Sequence, residues 1–322
     1  MPRGGFRQYQ WRDSARERPV WVDVWYPAAA DTVEQPIVYG LGAGSAALDG
    51  ALDSRDPPLP LIVMSHGAFG AARDYGWIAE YLARRRFVVA GVSHFGESWI
   101  YGPDTIEPAA VTRLWMRPPD CSFAIDRILE HDDFTGRVDA ARIGAIGHSS
   151  GGATAIALGG ATFDPAALTA YCQTDAAAGD LGCKYGEANG VVVPTPAEAS
   201  ASYRDERVRA IVALDPAAGP GYSAASLAAV RVPVFVVGSE QNDFLPFANH
   251  AGRYAANLPR ATVLKLDAGE GHFVYLNCAT SELAANGVPL FIDRAGVERE
   301  AVHARLAPAI ADFFVAALKP RA

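Results

Sequence analysis

The chain has 322 residues, of which 50% are hydrophobic and 20% charged, with a formal net charge of −8. Its length and apolar content suffice for a substantial core in one large α/β unit or two small ones. The acidic balance, without a basic patch, argues against a nucleic-acid partner, and no uninterrupted apolar run of about 18 residues is present to cross a bilayer.

The opening residues lack the apolar core of a secretory leader. That reading places the chain in the cytoplasm as it stands, or in a secreted or periplasmic setting if a leader has been removed. The four cysteines, Cys121, Cys172, Cys183 and Cys278, match neither a zinc ribbon nor a thioredoxin-type pair, so no metal site is expected. Cys172 and Cys183 flank a Gly/Ala/Asp-rich stretch and either close a disulfide or remain two free thiols. Nothing in the sequence fixes the oligomeric state.

In chain order, Phe6 to Arg12 and Pro19 to Tyr26 read as an opening antiparallel pair. In the second segment Val20, Val22 and Val24 alternate with Trp21, Asp23 and Trp25. Pro27 to Pro60 is rich in Ala, Gly, Asp and Pro with no sustained period, and reads as loop. Leu61 to Met64 is a short apolar run of the kind buried on both faces of a parallel sheet, and it ends in Ser65-His66-Gly67-Ala68-Phe69-Gly70.

Arg73 to Arg86 has helical spacing, with Trp77, Ile78, Tyr81 and Leu82 on one face, and Phe87 to Val92 is again a buried-strand run. A loop over His94 to Trp99 leads into a long helical region from Pro108 to Asp132, interrupted at Pro118-Pro119. Ile143 to Ile146 then meets Gly147-His148-Ser149-Ser150-Gly151-Gly152, and a small-residue helix follows at once. Thr162 to Glu206 carries Gly, Pro, Asp and the cysteine pair without a clear period, and reads as a lid-like insertion.

Val208 to Leu214 and Val232 to Val237 are further strands, the first ending in Asp215-Pro216. A helix over His250 to Leu258 separates them from a last strand, Thr262 to Leu266. Val297 to Leu318 is an amphipathic helix packing Val302, Leu306, Ile310, Phe313 and Phe314. No repeat or linker divides the chain. The expectation is therefore one α/β domain over 1–322, with a mostly parallel sheet covered on both faces and an insertion at about 162–206.

The strand, sharp turn and helix around Ser149 make it the candidate nucleophile, because glycines on either side let strand and helix approach without a Cβ between them. A serine hydroxyl needs a base within hydrogen-bond reach and a third group to orient that base. His272, in Gly269-Glu270-Gly271-His272-Phe273 after the last strand, is the candidate base. The other six histidines have structural readings, although His66 sits where it can shape the turn after the early strand. Two acids precede His272: Asp215, with an alternative role as a turn-forming Asp-Pro, and Asp243, with an alternative role as a helix cap or solvated acid.

Attack on an ester creates an oxyanion, which requires preorganised N–H donors. The backbone amides of Ser150 and Ala68 are the candidates. Phe69, Trp99, Trp115 and Phe273 are candidate walls for the substrate. No cofactor is required by this chemistry, and the implied partner is a small-molecule ester.

The segments PLIVMSHGAFG, RRFVVAGVSHF, GHSSGGATAI, VRAIVALDPAAG, VPVFVVGSE and GEGHF together resemble the α/β-hydrolase superfamily. Within it they are similar to the platelet-activating-factor acetylhydrolase and predicted dienelactone hydrolase-like branch. The resemblance runs from about Trp21 to Leu318 and implies a nucleophile elbow at Ser149, with acid and then histidine following in chain order. It also implies Asp215 as the acid, since Ala213-Leu214-Asp215 is similar to the A-L-D segment of the acetylhydrolases. Dienelactone hydrolases carry a cysteine nucleophile where this chain has Ser149, so serine esterase activity on short to medium acyl chains is the implied function. The insertion resembles bacterial relatives more than animal acetylhydrolases. Rival readings are a polyester hydrolase, amidase or acyltransferase on the same scaffold, and a non-catalytic binding protein of that fold.

Overall fold

Alternating side chains at the start of the chain form β1 (Arg3–Asp13) and β2 (Arg18–Ala28), an antiparallel pair in register from Arg3 opposite Ala28 to Asp13 opposite Arg18. The structure, a computed structural model, describes residues 3–40, 42–53, 58–190, 196–280 and 286–320. The segment read as loop contains two short strands, β3 (Gln35–Val38) and β4 (Ala43–Leu48), which pair with each other. β4 also pairs in parallel with β1. Such strands escape a sequence reading because β4 is built mainly of Ala, Gly and Ser, which show no apolar alternation, and the four residues of β3 are too few to show one.

The apolar runs form the parallel centre: β5 (Leu59–Ser65), β6 (Val88–Ser93), β7 (Val138–His148), β8 (Val208–Leu214), β9 (Val234–Ser239) and β10 (Ala261–Leu266). The sheet order is β10-β9-β8-β7-β5-β6-β2-β1-β4-β3. β7, which delivers Ser149, thus lies between β5 and β8, the strands ending at the Gly67–Gly70 turn and at Asp215. Ligands in open α/β sheets gather at the carboxyl ends of such central strands.

Helices cover both faces, as the apolar runs imply. Residues of α1 (Gly76–Arg84) and the C-terminal α8 (Arg299–Ala317) pack with Ile62, Met64 and Val89 on one side. On the other side, α2 (Arg117–Glu130), α3 (Ser150–Leu158), α6 (Ala224–Ala228) and α7 (Ala251–Asn257) pack with Leu61, Val63 and Val88. Each fully buried aliphatic side chain contributes about 1.5–3 kcal/mol.

Two further readings change. Pro118 and Pro119 do not interrupt a helix; they lie in the first turn of α2, where a missing N–H costs nothing, and the residues before it form short 3₁₀ turns. The insertion also holds two helices, α4 (Pro165–Cys172) and α5 (Leu181–Asn189). No residue of either helix is buried, so no apolar period was available to reveal them. They are capped by Asp164 and Asp180 and joined by a Cys172–Cys183 disulfide. Cys121 and Cys278 are free.

Candidate active site

Ser149 sits at φ 55° and ψ −120° between the end of β7 and the start of α3, a conformation that costs a non-glycine residue about 1–3 kcal/mol. The strain is held in place by the backbone. Ser149 donates its N–H to the Leu214 carbonyl at 3.0 Å, and its own carbonyl accepts from the Ala217 N–H at 3.0 Å. The glycines are sterically required: a Cβ on Gly147 would strike the Gly151 carbonyl, and one on Gly151 would strike the Ser65 carbonyl. The tight turn aims Ser149 into a cavity of about 730 Å³.

The turn after β5 is fixed from beneath by buried charge. Arg117 grips Glu97 through two hydrogen bonds of 2.9 and 2.6 Å and donates to the His66 carbonyl at 2.6 Å. Burying such a pair is tolerated because both its charges and its hydrogen bonds are matched. His66 Nε2 accepts the His94 N–H at 3.0 Å, so its proton lies on Nδ1, which donates to the Gly67 carbonyl at 2.6 Å. His94 in turn donates through Nδ1 to Asp120 at 2.9 Å and accepts from Ser65 Oγ at 2.8 Å. Burial raises the Asp120 carboxyl, but His94 and Arg18 outweigh it and hold the group at about 2.

Within the turn, Gly70 N–H is committed to the Gly67 carbonyl and Gly67 N–H to the Tyr75 hydroxyl at 2.9 Å. Ala68 and Phe69 lie between them and line the cavity, Phe69 at φ 56°. The Tyr75 hydroxyl donates to His148 Nδ1 at 2.9 Å, and His148 Nε2 donates to the His272 carbonyl at 2.9 Å. Burial lowers the His148 imidazole well below its ordinary value, which keeps it neutral as this chain of bonds requires. One relay therefore joins the glycine turn, the elbow and the histidine loop.

His272 is 1% exposed, and its Nδ1 lies 3.7 Å from Asp215 Oδ2. Asp215, 2% exposed, uses Oδ1 to accept the Ser239 N–H at 2.8 Å. Its Oδ2 is buried with no hydrogen-bond partner among the described residues. An unpaired buried oxygen is costly, and the imidazole lies close enough to relieve it by a small turn of the ring. Burial is the largest influence on both groups, raising the Asp215 carboxyl to about 7 and lowering His272 to about 3. Asp243 is exposed and takes the His272 backbone N–H at 2.8 Å, so it touches the loop and not the ring.

Asn242 was not found by sequence reasoning. Its Oδ1 accepts from the Phe244 and Leu245 amides at 2.8 and 2.7 Å, which directs Nδ2 to within 3.3 Å of His272 Nδ1. A neutral imidazole accepting from Asn242 carries its proton on Nε2. Moving that proton to Nδ1 and turning the ring toward Asp215 Oδ2 exchanges one partner for the other. Tyr75, Arg117 and Glu97 were missed as well. The bulky residue after a glycine-flanked turn hinted at the first, while the salt bridge spans 20 positions and leaves no local signal.

Of the residues singled out from sequence, Ala68, Phe69, Trp99, Ser149, Ser150, His272 and Phe273 all line the cavity. Trp115 does not; it is 5% exposed within the core on the α2 side of the sheet. Among the described residues no helix is long and apolar enough to cross a membrane.

No family model and no curated protein matches the chain. Among solved structures it is similar to a ferulic acid esterase from Streptomyces cinnamoneus, with 21% identity and a TM-score of 0.61 over 99% of this chain and 91% of that one. That likeness, with the ten-stranded mixed sheet and its two helical layers, shows an α/β-hydrolase fold.

Proposed function

We propose that this α/β-hydrolase fold serves a carboxylic ester hydrolase acting on short to medium acyl chains through an acyl-enzyme on Ser149. The observation that carries the reading is the unpartnered Asp215 Oδ2, buried 3.7 Å from Nδ1 of His272, a residue that lines the same cavity as Ser149. His272 takes the Ser149 proton on Nε2 as Oγ bonds to the acyl carbon. Asp215 accepts from Nδ1–H and stabilises the imidazolium. The Ala68 and Ser150 amides receive the oxyanion.

Collapse of the tetrahedral intermediate breaks the ester C–O bond, and the alkoxide leaves with the proton from His272. Water then gives a proton to His272 and attacks the acyl carbon, releasing the carboxylic acid and restoring Ser149. Nothing in these steps draws on a cofactor. Similarity to an esterase supports the ester among acyl substrates, and the six quoted segments support the acetylhydrolase-like branch. Trp99 and Phe273 join Phe69 as walls of the substrate site.

The test is a series of 4-nitrophenyl esters of increasing acyl length on the wild type and on Ser149→Ala. Turnover that falls beyond the medium-length acids, and drops by about 10⁶-fold in the variant, is the expected result. Equal turnover by both proteins would refute the reading.

A further inference from the structure

A run of rings passes around the cavity from one half of the site to the other. Phe69, on the turn after β5, meets Tyr185 edge-on with centroids 5.7 Å apart and planes at 67°. Tyr185 meets Phe244 in the same way, at 5.7 Å and 74°. Phe244 stacks on His272 at 5.3 Å and 13°. Four separate segments thus supply one aromatic wall, and the ring that joins Phe69 to Phe244 comes from the lid helix α5.

That central ring is held with care for an element that buries none of its own residues. Asp180, the cap of α5, pairs with His250 at 2.8 Å, and the Leu181 N–H donates to the Phe244 carbonyl at 2.9 Å. The Cys172–Cys183 disulfide ties the helix to α4. Phe69 is strained at positive φ, where glycine would be easier, yet a large ring is kept there facing Tyr185. The Tyr185 hydroxyl has no hydrogen-bond partner among the described residues and is left for a polar substituent. Among charged lining residues, Asp74, Asp180 and Glu187 outnumber Lys184, which disfavours a free carboxylate.

We propose that Tyr185 is a specificity-determining residue that selects neutral esters bearing a planar aromatic group, received against its ring and those of Phe69 and Phe244. This rests on the ester-hydrolase reading for its chemistry but not for its binding. Flat rings gain from edge-to-face and offset contacts that a saturated ring of equal size cannot make. The group can lie on the acyl or the alcohol side of the ester, and the two sides are separated by the choice of probe.

The full chain is tested with methyl cinnamate, benzyl acetate, methyl 3-cyclohexylpropanoate and methyl butyrate. Binding is measured by calorimetry on Ser149→Ala, and kcat/KM on the active enzyme. Tyr185→Ala is expected to weaken binding and lower kcat/KM by about tenfold for cinnamate, benzyl acetate or both, and by less than about twofold for the cyclohexyl and butyrate esters. Tyr185→Phe is expected to keep the preference. The proposal is overturned by an equal fall on all four esters, which marks collapse of the lid, or by no fall on the aromatic ones. If no ester is turned over, yet aromatic esters bind Ser149→Ala in a Tyr185-dependent way, the hydrolase reading fails and this inference stands.

Discussion

On the side of Ser149 that holds the turn after β5, a buried network is matched from the Arg117–Glu97 pair through His66 and His94 to Asp120. On the base side, Asp215 Oδ2 is unpaired and His272 Nδ1 stands between Asp215 and Asn242. In the proposed mechanism the two halves serve different needs. Donors for a transient charge work best when they do not move, because any reorganisation adds to the barrier. A proton-transferring imidazole must change its bonding twice per turnover, and a loosely satisfied surround permits that.

The two halves of the site differ most at the acid. Asp215→Asn is expected to lower kcat by about 10⁴-fold, since an amide cannot hold the imidazole in the Nδ1–H tautomer. Asp243→Asn keeps an oxygen for the His272 N–H and is expected to cost less than about tenfold. Steady-state kinetics on both variants decides it, and a reversal of the two effects would move the acid to Asp243.

On the matched side, Arg117→Met leaves Glu97 charged and unpaired in the interior and is expected to destabilise the protein by about 3–5 kcal/mol. Arg117→Met with Glu97→Leu removes both charges and is expected to recover most of that loss by denaturant unfolding. Activity should not recover, because the His66 carbonyl has lost its clamp. Recovery of both would make the network a matter of folding alone.

The base side is sharpened by pH. With His272 lowered to about 3 and Asp215 raised to about 7, the pair holds one proton between these values and sheds it near pH 7. The proposed mechanism requires ionised Asp215 and neutral His272, so kcat/KM should rise with pH through about 7, whichever group held the proton. Asn242→Asp adds a second carboxylate beside Nδ1, favours the protonated pair and should move that limb up by about one unit. A limb that stays in place would remove Asn242 from the account.

The sequence exposed what sterics and burial write into short segments. Gly147 and Gly151 are dictated by close backbone approach, and the all-apolar runs of β5 to β9 by burial on both faces. It concealed what depends on tertiary distance. Asn242 is one polar residue in a polar loop until the fold brings it 3.3 Å from a residue 30 positions away. A short strand rich in Ala and Gly and two helices that bury nothing match a loop in local composition, and prolines that start a helix read as breaking one. Trp115 looked like a pocket wall because apolarity alone does not distinguish a core from a cavity.

The proposed mechanism depends first on a covalent intermediate at Ser149. Intact-protein and peptide mass spectrometry after treatment with a fluorophosphonate tests it directly. One adduct per chain on the peptide containing Ser149, absent from Ser149→Ala and slowed in Asp215→Asn, is the predicted result. An unmodified wild type, or an adduct that persists in Ser149→Ala, would contradict it.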